Sequence, residues 1–209
     1  MIEFFTSPLF LLFARLCVGG VFIVSGVGKW LDKPGTEASM ARYLFLPRGS
    51  GKFIANVFPP LEIAIGFALI LGLLTRLAAL GAVLLFALFT GLIIYDLARG
   101  KTQSCHCFGK LSDDKLTPVA VVRNVALMML SLLVFFAFDG WLALDIGLYN
   151  APEIHWTWLL PGLFYDVPYP DVANVVPVTV LAFFTVVLVV FGGKAISMVR
   201  NTLRGLGFH

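Results

Sequence analysis

The sequence predicts an all-α integral membrane protein, and three observations lead to that prediction. Of its 209 residues, 59% are hydrophobic and only 13% are charged, whereas about one quarter of a soluble domain is charged. The apolar residues come in long blocks instead of the short alternations of a β-protein. Polar bridges separate the blocks and hold most of the charge. The small net charge of +3 gives no reason to expect a nucleic-acid partner.

Five apolar blocks approach the roughly 20 residues that a helix needs to cross a bilayer. They cover residues 9–28, 57–74, 77–97, 118–138 and 177–199. Prolines stand near the start of the second, fourth and fifth blocks, where the first turn of a helix accepts them. The break between the second and third blocks is so short, at Thr75 and Arg76, that it predicts an antiparallel hairpin.

Lysine and arginine are distributed unevenly between the two sides of such a chain. Most of the 15 basic residues lie in the bridges after the first and third spans and in the tail after the fifth, which share one side. The opposite side has Arg76, and the connection 139–176 contains acidic residues but no Lys or Arg. Because basic loops stay in the cytoplasm, we expect an outside N-terminus and an inside C-terminus.

Several charged residues fall at membrane depth, where ionisable groups normally pair, face protein or serve a function. Counting 1.5 Å per residue predicts an inner layer of Lys29, Glu62, Asp96 and Arg123. Arg15 is left nearer the outer face. Glu62 and Arg123 are the predicted ion pair. It either locks the bundle, with Arg123 reaching towards the headgroups, or lies close to the cysteines and lowers a thiol pKa.

Small residues recur at helical spacing in the first two spans. Gly19 and Gly26 share a face of the first helix with Arg15, and Ala64, Ala68 and Gly72 form a stripe in the second. Such stripes let helices approach closely, so both are predicted to be packing surfaces.

The stretch SCHCFGK, residues 104–110, lies on the bridge between the third and fourth spans. Cys105 and Cys107 can form a disulfide whose small, strained ring makes it labile, and His106 favours thiolate. A metal site is the second reading, but these residues supply too few ligands for structural zinc, and we expect no metal. The third reading is a turn with packed thiols, as we expect for Cys17 in the first span.

CHCFG resembles the Cys-x-Cys-Phe-Gly signature of MauE-like members of the DoxX superfamily. ARLCVGGVFIVSGVGKW is similar to the first span of that superfamily, and PPLEIAIGFALILGLLTRLAA is similar to the second. The resemblance covers roughly residues 9–138. It implies a compact DoxX-like four-helix bundle over residues 1–138, in the bacterial inner membrane, to which this chain adds a fifth C-terminal helix.

MauE-like proteins are associated with thioredoxin-like partners and with disulfide maturation of a secreted enzyme, and DoxX relatives with quinone-linked oxidation. The resemblance therefore implies that Cys105 and Cys107 are exchanging thiols, tuned by His106, which pass electrons to a thioredoxin-like protein or a quinone. A second hypothesis makes the chain a non-catalytic accessory subunit of a larger membrane complex. Its contact surfaces would be the aromatic, acidic segment 139–176 and the fifth helix with its basic tail, residues 177–209.

Overall fold

The structure, a computed structural model, describes residues 5, 7–40, 50–100, 118–137 and 175–205. These residues form six helices and no strand: α1 (Pro8–Leu31), α2 (Lys33–Met40), α3 (Ser50–Leu71), α4 (Thr75–Ala98), α5 (Pro118–Ala137) and α6 (Val175–Gly205). Within that part of the chain, α1, α3, α4 and α5 are long and apolar enough to cross a membrane, and the apolar part of α6, Val175–Phe191, is shorter. The predicted all-α, multi-pass membrane fold is confirmed.

Helix α1 occupies the centre of the bundle. It packs against α3, α5 and α6, while α4 packs mainly against α5. Phe22 of α1 also meets Phe86 of α4, with ring centroids 4.8 Å apart. Because α1 has helices on several sides, its charged residues lie inside protein and away from lipid.

The contact between α1 and α3 depends on two glycines that face each other. A Cβ on Gly19 would lie 2.8 Å from the carbonyl oxygen of Gly66, and a Cβ on Gly66 would lie 2.7 Å from that of Gly19. About two turns further in, a Cβ on Gly26 would lie 2.8 Å from the carbonyl oxygen of Pro59. The backbones therefore approach as closely as small residues permit.

The small-residue stripe that was predicted on α1 forms this contact, but the stripe predicted on α3 does not. Ala64 is exposed, and the face turned towards α1 carries Glu62, Gly66 and Leu69 instead. Both faces have helical spacing, so the small-residue pattern alone does not say which of them meets α1. Helix α3 also begins at Ser50, about two turns before the predicted start at residue 57.

The predicted hairpin between the second and third spans is present. Gly72 takes a left-handed conformation, with φ of 71°, and the amide of Leu73 donates to the carbonyl of Ala68 over 2.8 Å. This arrangement is a Schellman motif, which closes the end of α3. Helix α4 begins at Thr75, so α3 and α4 are antiparallel neighbours.

Gly19→Ala should destabilise the protein by about 1–3 kcal/mol, because its methyl group would push the α1 and α3 backbones apart. The matched control is Gly91→Ala, whose methyl group would enter open space and should leave stability unchanged or raise it by about 0.5–1 kcal/mol. Reversible unfolding in mixed detergent micelles, followed by circular dichroism, measures both changes. Equal stability of the two variants would contradict the close-contact account.

Candidate functional site: a buried charge cluster in the membrane

Lys29, at the end of α1, is buried with its charge inside the bundle. Its Nζ donates to Ser25 Oγ at 3.0 Å and forms an ion pair with Glu62 Oε1 of α3. The same Nζ lies 4.3 Å from the ring centroid of Phe89 on α4. Ser25, Lys29, Glu62 and Phe89 together are called the charge cluster below.

The direction of the Lys29 side chain is unusual for a lysine near a membrane boundary. Such side chains normally extend outward and place the ammonium among headgroups. Here the ammonium turns back by one helical turn to reach Ser25, deeper in the bundle than the Lys29 backbone. An ammonium is held this way only where partners replace its hydration, and the hydroxyl, the carboxylate and the aromatic ring serve as those partners.

Glu62 is fully buried, with a side chain 0% exposed. One of its carboxylate oxygens, Oε1, accepts from Lys29, whereas Oε2 has no hydrogen-bond donor among the described residues. A buried carboxylate that is satisfied on one oxygen can accept a further donor or a proton. The cluster is therefore neutral as a pair and still has one acceptor available.

The predicted ion pair between Glu62 and Arg123 does not form, because Lys29 takes the place of Arg123. Depth counting predicts one layer for all three residues, but it contains no information on which helices face each other. The glycine contact brings α1 against α3, so Lys29 reaches Glu62. Arg123 Nη1 instead donates to the carbonyl of Val189 at 3.3 Å and connects α5 to α6.

The fourth member of the predicted inner layer, Asp96, does not belong to the charge cluster. It is half-buried in the last turn of α4, about two turns beyond Phe89 on the same helix. Neither Lys29 nor Glu62 contacts it. Asp96 therefore lies at the rim of the bundle.

A small cavity lies beside the charge cluster, between α1, α4 and α5. Ser25, Arg123 and Asn124 contribute its polar lining, and aromatic rings of α1 and α4 contribute most of the rest. Its volume of about 20 Å³ is room for about one water molecule. Sequence reasoning missed Ser25 and the role of Lys29, although the i, i+4 spacing of these two residues was a signal for it.

Arg15 is the charged residue at the opposite end of the α1–α3 contact, and it is only 1% exposed. Its Nε donates to the carbonyl of Leu69 at 3.0 Å, and its Nη2 to that of Ile70 at 3.5 Å. These carbonyls belong to the last turn of α3, where the helix dipole is negative. Arg15 thus stabilises the end of α3, and we assign it a structural role.

Of the three cysteines, the structure describes Cys17. Cys105, His106 and Cys107 lie outside the described residues. Cys17 is buried, with Sγ 3.9 Å from the carbonyl oxygen of Ala182 on α6, as expected of a packing residue. Among the described residues, no three His, Cys, Asp or Glu side chains come together as a group able to hold a metal ion.

Lys29→Met should destabilise the protein by about 3–5 kcal/mol, because it leaves a buried carboxylate without its cation. Lys29→Met combined with Glu62→Gln should recover most of that loss. The matched comparison is Arg123→Met with Glu62→Gln, whose effects should simply add. A double-mutant cycle of unfolding free energies in detergent measures both couplings, and a larger coupling for the Arg123 pair would reject the observed pairing.

Much of the chain is similar in sequence to known proteins. The family model of the methylamine utilisation protein MauE matches residues 7–137, from the N-cap of α1 to the last residue of α5. The methylamine utilization protein MauE of Paracoccus denitrificans is 26% identical over 133 residues, which is 63% of this chain and 72% of that protein. No solved structure matches this chain. The link to the wider DoxX superfamily stays a prediction, but the match to the family model covers well over half of the sequence, and the chain belongs to the MauE family of membrane proteins.

Proposed function

We propose that this protein is a membrane thiol-redox protein of a methylamine utilisation system. Cys105 and Cys107 cycle between dithiol and disulfide and exchange with a thioredoxin-like partner. Family membership is the observation that carries this proposal, because the match runs continuously through the Cys-His-Cys segment. The relative from Paracoccus denitrificans is itself named as a methylamine utilization protein.

The chemistry of the segment supports the same assignment. A disulfide between cysteines separated by one residue closes a small ring, and strained disulfides exchange readily. When such a disulfide oxidises a partner dithiol, the S–S bond of Cys105 and Cys107 breaks and an S–S bond forms in the partner. Two electrons and two protons pass from the partner's sulfurs to those of Cys105 and Cys107. His106 and nearby lysines favour the attacking thiolate.

The Cys-His-Cys segment lies between two helices of the bundle, α4 and α5, which anchor it at both ends. Residues 101–117 connect Gly100 to Pro118, and α4 and α5, which they join, pack directly against each other. Lys29, in the last turn of α1, lies at the same end of the bundle, where it meets Phe89 of α4. Rigid anchors favour a reactive group that must meet an external partner in a defined orientation.

A thioredoxin-like protein is preferred over a quinone as the electron partner. The cavity beside the charge cluster has room for about one water molecule, and a quinone ring is several times larger. A quinone would therefore need a site other than this cavity. A protein partner meets the thiols from outside the bundle and needs no cavity.

We also propose the bacterial inner membrane as the location, with the Cys-His-Cys segment facing the cytoplasm. The end of the bundle nearest that segment carries Lys33 stacked over Trp30 at 4.5 Å and Arg99 over Tyr95 at 4.4 Å. Basic and aromatic residues of this kind are typical of the headgroup level. The excess of basic residues on this side favours the cytoplasmic face.

Differential thiol labelling should show two more reactive thiols after reduction than before it. Cys105→Ser and Cys107→Ser should each abolish this difference, because a disulfide needs both sulfurs. Cys17→Ala is the matched control, and it should leave the difference intact because Cys17 is buried. Thiols that stay free under oxidising conditions, together with purification at fixed stoichiometry with a larger complex, would favour the accessory-subunit hypothesis instead.

The side of the membrane is tested by a thiol reagent that cannot cross it. In a Cys17→Ala background, reduced intact cells should not be labelled, whereas inverted membrane vesicles should be labelled at Cys105 and Cys107. Labelling of intact cells would place the pair on the periplasmic face and reverse the proposed orientation. Mass spectrometry of the labelled peptide distinguishes the two results.

A further inference from the structure

The cavity beside the charge cluster contains a polar side chain that the packing of the helices does not explain. Asn124 is only 6% exposed and lines this cavity. The hydroxyl of Ser25 and the guanidinium of Arg123 belong to the same lining. A buried amide without a partner is unfavourable, so native structures provide it with one, in many cases a water molecule.

Ser25 joins this cavity to the buried ion pair. Its hydroxyl lines the cavity and also accepts from Lys29 Nζ at 3.0 Å. Lys29 in turn bonds Oε1 of Glu62, whose Oε2 has no donor among the described residues. The Ser25 side chain is also hydrogen-bonded to the Glu62 carboxylate. The contacts thus form a continuous series from Asn124 through the cavity and Ser25 to Glu62, with Lys29 donating to both Ser25 and Glu62.

We propose that this cavity binds one water molecule between Asn124 and Ser25, and that Glu62 exchanges protons through it. The cavity of about 20 Å³ has the size for this ligand, and its amide and hydroxyl lining supplies both donors and acceptors. The proposal goes beyond the thiol exchange described above and does not depend on Cys105 or Cys107.

The proton transfer balances without any redox partner. A hydronium ion in the cavity gives a proton to the Ser25 hydroxyl while Ser25 passes its own proton to the Glu62 carboxylate, to which its side chain is hydrogen-bonded. Lys29 keeps its protons and its charge throughout, because an ammonium has no acceptor for a further proton. Hydronium and carboxylate become water and carboxylic acid, while Ser25 and Lys29 end as they began.

The charged groups around Glu62 determine how this site behaves. Lys29 of α1 is the cation in direct contact, and Arg123 of α5 faces the same cavity. Helix α4 contributes the Phe89 ring, with Asp96 about two turns away. Lys33 of α2 bonds Asn56 at 3.4 Å and does not reach the pair. Lys29 is therefore the cation paired with the carboxylate, whereas Arg123 donates to the carbonyl of Val189.

Infrared spectroscopy of the full protein in lipid films tests the proposal. Lowering the pH should produce a carboxylic-acid band that is absent in Glu62→Gln, and deuterated water should shift that band. Asn124→Leu, which fills the cavity with an apolar side chain, should slow the hydrogen–deuterium exchange of the band by about tenfold, the effect of one lost hydrogen bond. Ser25→Ala should slow it as well.

Ser131→Ala is the matched control. Ser131 is buried on α5, the helix that also carries Asn124, but its hydroxyl donates to the carbonyl of Leu127 at 2.8 Å. Exchange in this variant should equal that of the wild type. If Glu62→Gln fails to fold, Glu62→Asp identifies the band by moving it. Absence of a band that depends on Glu62, or unchanged exchange in Asn124→Leu, would overturn the proposal.

Discussion

The close approach of α1 and α3 at Gly19 and Gly66 is the constraint on which the rest of the structure depends. Because neither position carries a side chain, the two backbones are in direct contact. Charged residues on either side of this contact then meet groups on the facing helix. At one end Arg15 reaches the carbonyls of the last turn of α3, and at the other Lys29 reaches Glu62. The Arg15 and Lys29 backbones are about 21 Å apart along α1, so one helix contact provides partners near both ends of the span.

The basic side chains can be buried in this bundle because each of them has an interaction partner. Arg15 interacts with a helix dipole, Lys29 with a carboxylate, a hydroxyl and an aromatic ring, and Arg123 with a carbonyl of α6. In a bilayer, alternative partners for such groups are scarce, so these contacts also specify which helices are neighbours. The charges therefore contribute to the choice of one arrangement as well as to stability, as buried polar groups do in some other systems.

The family match and the charge cluster draw attention to two different parts of the molecule. The match includes the Cys-His-Cys segment, for which thiol exchange is proposed, and the bundle that anchors it. The charge cluster lies inside that bundle and has an acceptor oxygen and a polar cavity that mere packing would not need. Helix α6 lies beyond the matched residues, yet Cys17 and Gly20 of α1 pack against it. It is thus an addition that is firmly joined to the common core.

The sequence by itself determined the helical membrane fold and the tight hairpin at Thr75, and it predicted a depth for each charged residue. These properties follow from apolar block length, helix rise and turn chemistry, all of which are local. It also placed Gly19 and Gly26 on the packing face of α1. Only the tertiary structure decided that Glu62 pairs with Lys29 and that Gly66 is the contact glycine of α3. The physical reason is that sequence gives only the height of a residue along its helix. The rotation of each helix about its own axis decides which face meets which neighbour, and it depends on the packing of all the helices together.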